Sequence, residues 1–147
     1  MGKAIVIISI SFLLIMISCT NHYRKSNATC DDKDLQMKNL LKNMLDVKNM
    51  QQVFKIPKQS KQDCFPIISD CFDGQKIILE KFGKPVKFLA KEDYRKYEAV
   101  LRITKLDFFP NHVKVTSKYD ATGTVCIVLF RAKDCNWIVE DVVIEDY

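Results

Sequence analysis

Hydrophobic and polar positions follow three different rhythms along this chain. From Ala4 to Ser18 the sequence AIVIISISFLLIMIS is apolar and uncharged throughout. From Leu35 onward, Leu35, Met37, Leu40, Leu41, Met44, Leu45, Val47 and Met50 recur at helical spacing, with Lys38, Asn39, Lys42, Asn43 and Lys48 between them. That period predicts an amphipathic helix over residues 32–52. Asp31 and Asp32 stand where capping side chains and negative charge favour a helix start. After residue 98 the period shortens to two. Segments 99–109, 113–120, 124–131 and 137–144 are rich in β-branched and aromatic residues. Pro110-Asn111-His112, Ala121-Thr122-Gly123 and Lys133-Asp134-Cys135-Asn136 separate them. This predicts a four-stranded antiparallel meander.

Within the meander, Val113, Val115, Ser117 and Tyr119 share one face, and Lys114, Thr116, Lys118 and Asp120 the other. The segment 124–130 is apolar on both faces and is expected to be the most buried strand. The middle of the chain is less regular. Residues 55–73 read as irregular, interrupted by Pro57 and Pro66. A short helix is expected over 75–82, with Gly83 as its C-cap and Pro85 blocking continuation. A short strand at 86–89 and a helical turn at 92–97 follow. The expected class is α+β: an N-terminal amphipathic helix packed on a C-terminal four-stranded antiparallel meander, in one domain spanning 31–147.

Composition leaves that picture intact. Of 147 residues, 48% are hydrophobic and 28% charged, a globular balance at single-domain length. The net charge of +5 is spread along the chain and not massed in a block, so no nucleic-acid partner is expected.

The first apolar run changes the compartment. Met1-Gly2-Lys3 supplies a short positive start, and the 15 apolar residues after it are short of the roughly 20 that a membrane span needs. They fit the apolar region of a secretory signal, so residues 1–18 are expected to be removed and 19–30 to form a polar tether. With Ser18 before Cys19, the segment resembles a bacterial lipoprotein signal, although Met16 and Ile17 depart from the usual pattern. The resemblance implies that Cys19 carries the lipid, a palmitate-type acyl anchor, at the mature N-terminus. Thr20, in place of the Asp that retains such proteins at the inner membrane, implies an outer-membrane address in a cell with two membranes. The protein would sit at the cell membrane or outer membrane, facing the periplasm or the exterior. The alternatives are plain secretion, with Cys19 merely near the cleavage point, and an uncleaved anchor. Val6 argues against a myristoylation start at Gly2. Asn27-Ala28-Thr29 matches a glycosylation sequon that matters only in a eukaryotic pathway.

Export admits disulfides among the six cysteines. With Cys19 lipidated, Cys30, Cys64, Cys71, Cys126 and Cys135 remain, an odd set whose connectivity stays open. On one continuous helix Cys64 and Cys71 would stand about 10.5 Å apart, too far to bond, so they pair only across a bend at Pro66. Cys126 in a strand and Cys135 at a hairpin tip are offset along the ladder. No C-x-x-C occurs, and neither His lies at ligand spacing from a Cys, so no metal is expected.

Catalytic patterns are missing from the sequence, and with glycines only at 2, 74, 83 and 123 no phosphate loop forms, so no cofactor is expected. His22 falls in the tether and His112 in a turn. Asp93 and Asp107, with Tyr94 or Tyr97 as partner, are the carboxylates that a pocket enzyme would use as a base. Asp134, Glu140, Asp141, Glu145 and Asp146 make an acidic end on a basic protein.

The segment from Val113-Lys114-Val115 through Tyr119, Gly123, Val125–Phe130 and Lys133–Asn136 to Trp137-Ile138-Val139-Glu140-Asp141-Val142 is similar to cystatin-like or nuclear-transport-factor-two-like domains of small exported bacterial proteins. It departs at Cys135, where such turns carry Gly. The resemblance implies a curved sheet cupping a helix, sometimes with a pocket. Function does not follow from the fold. The expectation is a membrane-tethered, non-enzymatic lipoprotein that holds an unknown protein partner or small ligand on its sheet, or in the cup between helix and sheet. An immunity-type protein is one version. The alternatives are a small pocket enzyme of the isomerase or dehydratase type and a disulfide-stapled soluble secreted protein.

Overall fold

The computed structural model describes residues 32–54 and 62–146. The expected signal, Cys19, the tether at 19–30, His22, the sequon and Cys30 lie outside the described residues.

Helix α1 spans Lys33–Leu45, shorter than the period suggests. Asp32 caps it, its carboxylate accepting from the Leu35 amide at 3.0 Å. At its end the Asp46 amide donates to the Lys42 carbonyl, and the chain continues as a 3₁₀ turn over Lys48–Gln51. Gln36, Leu40, Leu41, Met44 and Leu45 form the buried face, while Leu35 stands 52% exposed. Met44 and Met50 are fully buried and pack the core, with Met37 partly buried against it.

Seven strands follow: β1 (Phe65–Ser69), β2 (Glu80–Lys81), β3 (Lys84–Phe88), β4 (Leu101–Phe108), β5 (His112–Tyr119), β6 (Thr124–Lys133) and β7 (Asn136–Glu145). A 3₁₀ helix at Lys91–Lys96 joins β3 to β4. They form one sheet in the order β2-β3-β1-β4-β5-β6-β7. The fold is therefore a seven-stranded mixed sheet, curled into a half-barrel around one helix, which corrects the expected four-stranded antiparallel meander. Strands β4 to β7 do run antiparallel in succession, but β1 inserts beside β4 and pairs in parallel with both β3 and β4.

The irregular stretch expected at 55–73 thus contains a central strand. FPIIS is buried along most of its length, with no polar face to give it an alternating pattern. Pro66 is tolerated because the ladder to β4 begins only at Ile67, so at Pro66 the strand is paired on the β3 side alone. The helix expected over 75–82 is replaced by an open stretch and the β2–β3 hairpin. Phe82 and Gly83 form its two-residue turn, both with positive φ (54° and 71°). Gly83 turns a hairpin and does not end a helix.

The core lies between α1 and the concave face of the sheet, where Leu40, Leu41, Met44, Leu45 and Met50 meet Ile67, Leu101, Val113, Val115, Cys126, Val128 and Phe130. Burying each such side chain contributes about 1.5–3 kcal/mol. Phe54 sits edge-on to both Phe65 and Tyr119, with ring centroids 5.8 Å and 5.7 Å apart. Helix α1 is fixed to the far end of the sheet by Asn39, whose amide donates to Asn136 Oδ1 at 3.2 Å, and by Asn43, which donates to the Trp137 carbonyl at 2.5 Å.

Candidate functional site

The side chains singled out for chemistry are dispersed. Asp93 lies on the 3₁₀ helix, partly exposed and ion-paired to Lys96, whose ammonium holds its carboxyl below the usual range. That is the wrong direction for a general base working near neutrality. Asp107 lies on β4, 3.0 Å from Lys105 and 3.9 Å from Lys114. Tyr94 lies under the Arg102 guanidinium, 5.1 Å from it, and Tyr97 closes the 3₁₀ helix. Asp93 is therefore paired with Lys96, and Asp107 with Lys105 and Lys114, instead of with Tyr94 or Tyr97. His112 Nε2 lies 3.1 Å from Glu140 Oε2, and Arg131 Nε 3.9 Å from Glu140 Oε1, so Glu140 draws the ends of β5, β6 and β7 together.

Cys64 and Cys126 are buried thiols and Cys71 a half-buried one. Burial pushes the Cys64 thiol up and the Cys126 thiol up to about 11. A nucleophilic cysteine needs the opposite shift. Cys135 is disulfide-bonded, with a partner outside the described residues. Among the described residues no group of three His, Cys, Asp or Glu side chains is placed to hold a metal ion. Nor is any described helix long and apolar enough to cross a membrane.

The cup between helix and sheet is occupied by the core. What opens beside it is a shallow groove of about 420 Å³ where the end of α1 meets β7, lined by Asn43, Asp46, Val47, Lys48, Trp137 and Val139 among others.

The convex face of the sheet offers a more ordered surface. On β6 the inward side chains Cys126, Val128 and Phe130 are fully buried, but Val125, Ile127 and Leu129 point outward and are only half-buried. The strand expected to be most buried is thus apolar on a face that nothing covers among the described residues. Strand register sets what flanks this row. Lys118, Val125 and Glu145 lie side by side across β5, β6 and β7. Thr116, Ile127 and Val143 form the next rung, and Lys114, Leu129 and Asp141 the third. An apolar row therefore runs between a basic row on β5 and an acidic row on β7. Val143 is 42% exposed and Ile138 40%. Sequence reasoning placed Lys114, Thr116 and Lys118 on one face but missed the rungs. The available signal was apolar residues at the outward positions of a strand beside β5's polar face.

No protein family, curated protein or solved structure matches this chain. The likeness of the C-terminal residues to cystatin-like or nuclear-transport-factor-two-like domains therefore carries no assignment.

Proposed function

We propose that this is an exported, membrane-tethered binding protein without catalytic activity, anchored through a lipid on Cys19, whose convex sheet face engages its partner. The observation that carries the reading is the outward row Val125, Ile127 and Leu129, with Val143 beside Ile127, set between the lysines of β5 and the carboxylates of β7. Apolar surface rimmed by charge is the usual make-up of a protein-binding patch. The charged rows would orient a partner, and the apolar row would supply the buried centre.

Two measurements on protein extracted from its native membranes test this. The intact mass should begin at Cys19 and carry an acylglyceryl adduct. Partners recovered by the wild type, a further copy of the chain included, should be lost with Ile127→Glu while the fold is retained. A mass without lipid removes the tether. Partners held equally by Ile127→Glu remove this face as the binding surface.

A further inference from the structure

The chemistry of the convex face points to a particular partner. We infer that it is a second copy of this chain, docked face to face about a two-fold axis running along β6; the inference rests on the binding role proposed for this surface.

The rungs carry the argument. A two-fold axis parallel to the strands keeps every rung at its own height and exchanges left for right. It lays β5 of one copy over β7 of the other, and β6 over β6. Lys118 then faces Glu145 of the second copy, Lys114 faces Asp141, and Thr116 faces Val143. Val125, Ile127 and Leu129 meet their own counterparts on the axis. The surface is self-complementary in charge, as a closed two-fold interface requires. The other in-plane axis, perpendicular to the strands, would lay Lys118 over Lys114 and Glu145 over Asp141, opposing like charges. Charge therefore selects one of the two packings. Aligned packing of twisted sheets, about 30° apart and about 10 Å deep, is the geometry that results. One rung further, Arg131 also lies on the axis, and Glu140 of its own copy lies 3.9 Å from it to limit the repulsion.

Size sets the strength. The three rungs span roughly 14 Å by 10 Å, well short of the about 800 Å² per partner of a standard interface. The pairing is weak in free solution, and tethering two copies to one membrane raises their effective concentration.

The test uses the full processed chain, cross-linked in its native membranes and examined by sedimentation equilibrium after extraction. The wild type should form a dimer. Lys118→Glu and Glu145→Lys should each raise the dissociation constant about tenfold or more, and the double variant should recover it. Lys114→Glu with Asp141→Lys repeats the exchange on a separate rung, should either first variant fold poorly. A monomeric wild type in both settings overturns the inference. So does a dimer indifferent to the reversals, or one that the double variants fail to restore. A monomer whose other partners are still lost with Ile127→Glu overturns self-pairing alone and leaves the binding face standing. Partners indifferent to Ile127→Glu overturn the binding face itself.

Discussion

Lys81 on β2 donates its ammonium to the carbonyl of Leu45, the last residue of α1, from 36 positions away in the chain. The side chain is 5% exposed and also lies 3.5 Å from Asp46 Oδ1. A cation at a helix C-terminus satisfies an orphan carbonyl and opposes the helix dipole, so this contact ties the β2–β3 hairpin to the helix end. Lys81→Met keeps the stem and removes the donor. Gln51 still donates to the same carbonyl at 3.0 Å, and the desolvation cost of the ammonium disappears. The expected loss is therefore only about 1 kcal/mol, read from denaturant unfolding. A loss above about 3 kcal/mol would mean that Lys81 supports more than this cap.

The same cluster sets a pH dependence of one sign at both ends, stability rising with pH in the acid window through Asp46 and in the alkaline window through Lys81. Lys42, hydrogen-bonded to Asp46 at 2.8 Å, holds the Asp46 carboxyl below its ordinary value of 3.8. A carboxyl depressed in the folded state contributes stability that is present above 3.8 and lost as pH falls through the folded value. Lys81 is shifted below its ordinary 10.5, chiefly by burial. The unfolded chain then binds more protons between the folded value and 10.5, so stability rises with pH across that alkaline window. Asp46→Asn should flatten the acid limb of a stability profile, and Lys81→Met the alkaline rise. A variant profile parallel to the wild type at either end would contradict the assignment there.

How far such relationships can be read from sequence depends on whether a residue's local pattern has one physical meaning. Strand β5 announces itself because one face is buried and the other meets solvent, which writes the alternation Val113, Val115, Ser117, Tyr119 against Lys114, Thr116, Lys118. Strand β1 has no polar face, so FPIIS carries no period, and its proline argues for a loop. The stretch before Gly83 misleads for a different reason. Ile77, Ile78, Leu79 and Phe82 match helical spacing, yet Ile77 and Leu79 are buried while Ile78 is 80% exposed, the alternation of an extended chain. Gly83 serves a helix end and a hairpin turn equally well, since both want positive φ. The rungs of the convex face were illegible because they depend on register across three strands, and the ladder between β6 and β7 shifts at Leu129/Phe130.

Gly74 is required by a neighbour and not by its own backbone. A Cβ there would stand 2.2 Å from the Phe88 ring. That ring is held edge-on to Phe72 at 5.9 Å and packs against the core. Gly74→Ala should cost about 1–3 kcal/mol as the ring is forced aside. Gly74→Ala combined with Phe88→Leu should recover part of the loss. Equal stability of Gly74→Ala and wild type would show that the ring moves freely.

The β6–β7 turn sets backbone strain against a covalent bond. Asp134 and Cys135 form a two-residue loop with φ of 47° and 62°, where glycine is favoured at the second position. A non-glycine residue held there costs about 1–2 kcal/mol. Cys135 is nevertheless suited to the position through its disulfide. Without reductant, Cys135→Gly should be less stable than the wild type by about 2–4 kcal/mol. With reductant the order should reverse, Cys135→Gly gaining about 1 kcal/mol over the reduced wild type. No reversal would mean that the turn does not strain at Cys135.

The same disulfide makes the proposed membrane tether countable. Cys64, Cys71 and Cys126 are thiols and Cys135 is bridged, so the other two cysteines of the chain, Cys19 and Cys30, decide the rest. A thioether-linked lipid on Cys19 leaves Cys30 as the one partner for Cys135. Unfolded without reductant, the native-membrane protein should then take up three alkyl groups and carry an acyl adduct. If Cys19 is instead the bridging residue, or is unmodified, the count rises to four and the adduct vanishes. Under native conditions Cys126 should alkylate slowest, since it is fully buried and its thiol is pushed up to about 11. Three alkyl groups together with a lipid adduct would join export, anchoring and the hairpin bridge in one reading. Four without one would return the chain to the secreted, soluble alternative.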